Sequence, residues 1–160
     1  MMPSNPASSQ TGASSSRASD DTGSSAAACS AAAARLRRVP AVAARFDFDV
    51  HPTLEALCRR APLQELPPER VQLEWIKLLL RGKRPSVGLA LARRTGMLAT
   101  LFGSLVDDPT LDAAVDRTVQ TRAAIEDPGR RLAVPLLVWL SATPTSGVVP
   151  VLDRLGLHRR

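Results

Sequence analysis

A chain of 160 residues has room for one domain with a modest core. Hydrophobic residues make up 44% of it but aromatics only 3%, so Leu, Ala and Val must fill that core, which favours helices over a β-sandwich. The net charge of +6 points to a polyanionic partner, while two cysteines, two histidines and no long apolar run exclude a disulfide framework, a clustered-imidazole metal site and a membrane-spanning helix.

The positive charge is unevenly spread. Residues 35–94 carry thirteen Lys/Arg against six Asp/Glu, net +7, whereas 95–160 balance at seven against seven. A block of this kind suits a phosphate-facing surface. Cys29 and Cys58 lack metal-ligand spacing, and a reducing cytoplasm is the expected location.

In chain order, residues 1–30 are rich in Ser, Ala and Gly and poor in large apolar side chains. They are expected to form a disordered low-complexity tail, because they bury too little surface to offset ordering entropy. SAAAARLRRVPAVAARF favours helix, with a kink or restart at Pro40. FDFDV is a short connector, and PTLEALCRRA a helix with Leu54, Leu57 and Cys58 on one face. Asp47 and Asp49 copy the spacing of a two-metal carboxylate pair, but no phosphate loop or supporting sheet accompanies them, so a polar connector is the expected role.

LPPERVQLEWIKLLLRG predicts a helix over 68–81, with Val71, Trp75, Leu78 and Leu79 at i, i+4, i+7 and i+8. Leu73, Ile76 and Leu80 widen that face and suggest cover on two sides. Gly82 ends the helix, and RGKRPS is a basic loop. SVGLALARRTGMLATLFGSL reads as a helix, a break at Gly96 and a short helix. TLDAAVDRTVQTRAAIEDPGRRLAVPLLVWLSATP gives two helices split at DPG, the second closed by Pro144, and VVPVLDRLGL adds a last one. No strand pattern of useful length occurs. The fold class is all-α.

Arg70 in a helix's first turn opposes the macrodipole, yet free N–H groups, the dipole and a guanidinium fork together make a phosphate site. The expected RNA-binding residues are Arg70, Lys77, Arg81, Lys83 and Arg84, with Arg59, Arg60, Arg93 and Arg94 as possible extensions. With Trp75 on the buried face, no aromatic stacking platform is expected. Recognition would be of backbone shape and not of base sequence.

Taken in order, RLRRVPAVAARF, HPTLEALCRR, LPPERVQLEWIKLLL, RPSVGLALARRTGML and LATLFGSL resemble the neck and body of bacterial CCA-adding tRNA nucleotidyltransferases and the related poly(A) polymerases. The likeness is densest over 43–102. It implies a helical neck/body-like RNA-binding bundle over 31–104 and tRNA 3′-end maturation as the process. Family members carry an upstream catalytic head that holds Mg²⁺, CTP and ATP. The residues preceding the match cannot supply one, so no cofactor and no catalytic residue are expected here. In the family an Asp/Arg pair reads the incoming base; Arg35 matches the arginine and Arg38 follows one turn later, but Ala31 and Ala32 stand where the acids belong. Arg35, Arg38, Glu69 and Arg70 are therefore the residual nucleotide-binding candidates. Residues 105–160 resemble a degenerate metal-dependent HD domain: Ser141 and Ala142 replace its His-Asp pair, leaving His158 as a distant imidazole. The leading expectation is a tRNA-binding fragment that is catalytically incompetent alone. Two other readings stay open: a subunit completing a nucleotidyltransferase with a separately encoded head, and a non-functional truncated product.

Overall fold

The computed structural model describes residues 31–157, and the expected tail at 1–30, Cys29 and His158 lie outside that range. Helix α1 covers 31–36. After a turn at 37–38 the chain restarts as α2 (Val39–Phe46), with Pro40 in its first turn, where a missing N–H costs nothing. The restart expected at Pro40 is thus present. Helices α3 (Pro52–Arg59), α4 (Pro68–Arg81), α5 (Pro85–Arg94), α6 (Met97–Leu101), α7 (Asp112–Ala123), α8 (Pro128–Leu140) and α9 (Thr145–Arg154) follow. Turns of 3₁₀ helix at Leu63–Glu65 and Pro109–Leu111 complete the order. Among the described residues there is no strand, and no helix is long and apolar enough to cross a membrane.

Local chemistry explains the boundaries. His51 caps α3 by accepting from the Thr53 N–H at 3.2 Å, and Asp127 caps α8 by accepting from the Arg130 N–H at 2.7 Å. Gly96 takes the left-handed conformation (φ 76°) that separates α5 from α6. Gly82 ends α4 for another reason. Its φ is −62°, but a Cβ there would lie 2.4 Å from the Leu78 carbonyl oxygen and 3.2 Å from Ala44 Cβ.

Helix α4 lies at the centre. Val71, Trp75, Leu78 and Leu79 are buried, as their spacing predicts. Trp75 meets Phe102 at 5.0 Å and Trp139 at 6.1 Å, and these three rings join α4, the α6 end and α8. One buried cluster includes Leu79 and Leu89 as well as Val115, Trp139 and Val151, so residues on both sides of position 104 share a core. Two apolar expectations are corrected. Among the described residues Leu73 and Leu57 are exposed: no described element covers Leu73, and α3 buries only Cys58 fully.

Helix α2 packs unusually close. Its buried face is Pro40, Ala41, Ala43 and Ala44, and Gly88 of α5 sits where a Cβ would meet the Pro40 carbonyl oxygen at 2.5 Å. Small residues on both sides permit that approach. The larger Val42 and Phe46 therefore face outward.

Candidate nucleic-acid interface

The contact of α2 with α4 leaves an open groove of about 350 Å³. Arg38 and Arg45 line it from α2 and its lead-in, Lys77 and Arg81 from α4, and Glu74 lies among them. The α4 contribution follows from helical geometry. At about 100° per residue, Arg70, Glu74, Lys77 and Arg81 fall within about 40° of one line along the helix. From Arg70 to Arg81 this stripe runs about 16 Å.

Glu74 is only 5% exposed yet carries the stripe's negative charge. It accepts from Lys77 Nζ at 3.0 Å and faces Arg38 Nε at 3.7 Å. Arg37 is also buried, and its guanidinium donates to the Ala34 carbonyl while Nε has no partner among the described residues. Burial pushes the Arg37 pKa down; Glu74 opposes the shift, and Arg38 and Arg70 add to it. Arg70 thus belongs electrostatically to the same cluster. One carboxylate is set against several cations.

The structure sorts the remaining basic residues by partner. Arg93 is clamped by Asp107 and Asp112, with contacts of 2.5 and 3.1 Å, and these carboxylates raise its pKa. Arg94 and Arg59 share Glu55, at 2.7 and 3.5 Å. Arg84 pairs with Asp47 at 3.2 Å and faces Asp116 at 3.8 Å, while its N–H donates to the Ala44 carbonyl. These arginines join helices to one another. By contrast, Arg70, Arg81, Lys83, Arg60 and Arg35 are exposed and have no carboxylate partner among the described residues.

The start of α4 differs from the expected anion site. Pro67 and Pro68 have no N–H, and the Arg70 and Val71 N–H groups both donate to the Pro67 carbonyl. At most the Glu69 N–H of that turn remains outside the helical ladder. The cationic surface therefore runs along the side of α4, and the helix N-terminus contributes little to it.

Arg35 and Arg38 flank the α1–α2 break, and Arg38 turns into the groove. Glu69 is exposed beside Arg70. Asp47 adopts a left-handed conformation (φ 55°, ψ 55°) as the C-cap of α2, which removes the strand that a shared carboxylate face would need. Ser141 ends α8, its hydroxyl donating to the Val138 carbonyl. Buried Arg37 was missed by motif reading, although it continues the inward stripe of Ala33 and Ala41. Arg45 was missed too.

Residues 47–113 match the family described as "Probable RNA and SrmB- binding site of polymerase A". No curated protein and no solved structure matches the chain. The matched segment contains all of α4 with its basic stripe, and α2 lies just before it. Residues 47–113 are thus similar to the RNA-binding region of polymerase A.

Proposed function

We propose that the chain holds tRNA-like RNA by its sugar-phosphate backbone along the α2–α4 groove, serving 3′-end processing without itself adding nucleotides. The observation that supports this most is the groove itself: Arg38, Arg45, Lys77 and Arg81 surround one buried acid, beside and within the RNA-binding match. Such contacts position RNA and act through counterion release. Arg70 and Lys83 extend the surface at the two ends of α4. Arg84 belongs to it less, since Asp47 and Asp116 already balance its charge.

The sequence resemblance to CCA-adding enzymes supports tRNA as the RNA and a separate catalytic head as the holder of CTP, ATP and Mg²⁺. Among the described residues no three His, Cys, Asp or Glu side chains come together, and Asp47 is committed to Arg84.

Titrating labelled tRNA with the purified chain over a salt series tests the reading. Affinity should fall steeply with salt. Arg70→Ala, Lys77→Ala and Arg81→Ala together should weaken binding and flatten the logarithmic slope by about 2. An unchanged slope in the triple variant would remove the groove from RNA binding.

A further inference from the structure

The chain has five aromatic residues, and three of them, Trp75, Phe102 and Trp139, are locked in the core. The other two, Phe46 and Phe48, are 61% and 43% exposed and lie side by side, with ring centroids 6.4 Å apart and planes within 16° of parallel. Sequence reading expected no aromatic platform because it considered Trp75 alone. These two exposed rings lie elsewhere, at the end of α2.

The arrangement is held by the backbone. The Asp47 and Phe48 N–H groups both donate to the Ala43 carbonyl, at 2.8 and 3.4 Å. Asp47 between the rings takes the left-handed turn, and its carboxylate is fixed by Arg84 at 3.2 Å. This turn sets the rings of residues i and i+2 near parallel at the end of α2. The Arg45 guanidinium lies 5.4 Å from the Phe46 centroid. Phe46 and Val42, one turn apart on α2, line the same groove as Lys77 and Arg81.

We infer that Phe46 and Phe48 form a stacking platform for the bases of an unpaired RNA strand whose phosphates lie along Arg45, Lys77 and Arg81. This deepens, and rests on, the RNA reading of the groove. Parallel exposed rings beside a row of cations match the two faces of a single strand, π surface and backbone. In a duplex the bases face each other and cannot reach such rings, so the segment lying over the rings is unpaired. An acidic protein segment would satisfy the cations but has no use for two parallel rings.

The test uses the full chain and a ten-nucleotide oligo(A) carrying 2-aminopurine, read by anisotropy and by quenching. The Phe46→Leu/Phe48→Leu double variant keeps apolar bulk and removes both rings. It should bind about tenfold more weakly, lose the quenching and keep the wild-type salt slope. A paired hairpin of equal charge should bind both proteins alike. If the double variant does not fold, Phe46→Trp decides: retained affinity with RNA-dependent quenching supports the platform, and lost affinity overturns it. Unchanged affinity and quenching in the folded double variant would overturn the platform while leaving RNA binding intact. Failure of the wild-type chain to bind either RNA would overturn both readings. Displacement of oligo(A) by poly-glutamate at equal charge would show that charge alone is recognised and would likewise overturn the platform.

Discussion

Glu74 and Lys77 form the ion pair at the heart of the basic groove, Nζ donating to Oε1 at 3.0 Å although the glutamate is almost fully buried. The same carboxylate faces Arg38 and offsets the buried charge of Arg37. It stabilises the fold and weakens the groove's field together.

Replacing Glu74 by Gln should separate these effects. The variant loses the counter-charge of Arg37 and should be less stable by about 1–2 kcal/mol, read as a lower unfolding midpoint in urea. Arg38 and Lys77 become free for phosphate, so RNA affinity should rise and the salt slope steepen by about 1. A variant that is less stable but binds no better would mean that these two cations do not face the RNA.

Arg122 fastens the end of α4. Its guanidinium, 6% exposed, donates to the carbonyls of Leu79 and Gly82, where the helix has run out of its own donors. Burial lowers its pKa, but the group stays charged at any ordinary pH. Arg122→Ala leaves two carbonyls without a donor and should cost about 3 kcal/mol in a denaturant titration. Arg122→Lys, with a single ammonium, should recover only part of that loss.

Gly88 tests the close approach of α2 and α5. Alanine would favour the helix by about 1 kcal/mol. A methyl there, however, would lie 2.5 Å from the Pro40 carbonyl oxygen and 2.9 Å from Leu78 Cδ1. The clash should win, giving a net loss of about 1–3 kcal/mol. Gly103→Ala, whose added carbon would meet only the Ala99 carbonyl oxygen at 3.5 Å, should change the midpoint little. Similar midpoints for the two variants would contradict the close packing.

Acid should loosen the α3–α5 contact. The hydrogen bond from Arg94 holds the Glu55 pKa below its ordinary value of 4.5, with further help from the charges of Arg94 and Arg59. A carboxyl depressed in the folded state binds protons more readily once unfolded, so its contribution is complete above about pH 5 and fades as pH falls through the folded value. The melting temperature should hold between pH 7 and pH 5 and drop below it. Glu55→Gln should melt lower at pH 7 and show a shallower acid drop.

The sequence alone determined the helices and the inward face of α4. A period of 3.6 with Pro starts and Gly stops is local information, so Val71, Trp75, Leu78 and Leu79 are buried as their spacing requires. The basic block over 35–94 and its likeness to an RNA-binding region were legible for the same reason, being properties of one continuous segment. Which cations are free was not. Arg94 finds Glu55 across 39 positions and Arg93 finds Asp112 across 19, so only the assembled bundle shows that these arginines serve packing. The same holds for Glu74, a polar residue on an apolar helix, buried because Arg37 and Arg38 arrive from the turn before α2. Tertiary structure also decided where the aromatics face. Alanines and glycines let α2 come close to α4 and α5, and that closeness left Phe46 and Phe48 on the outside.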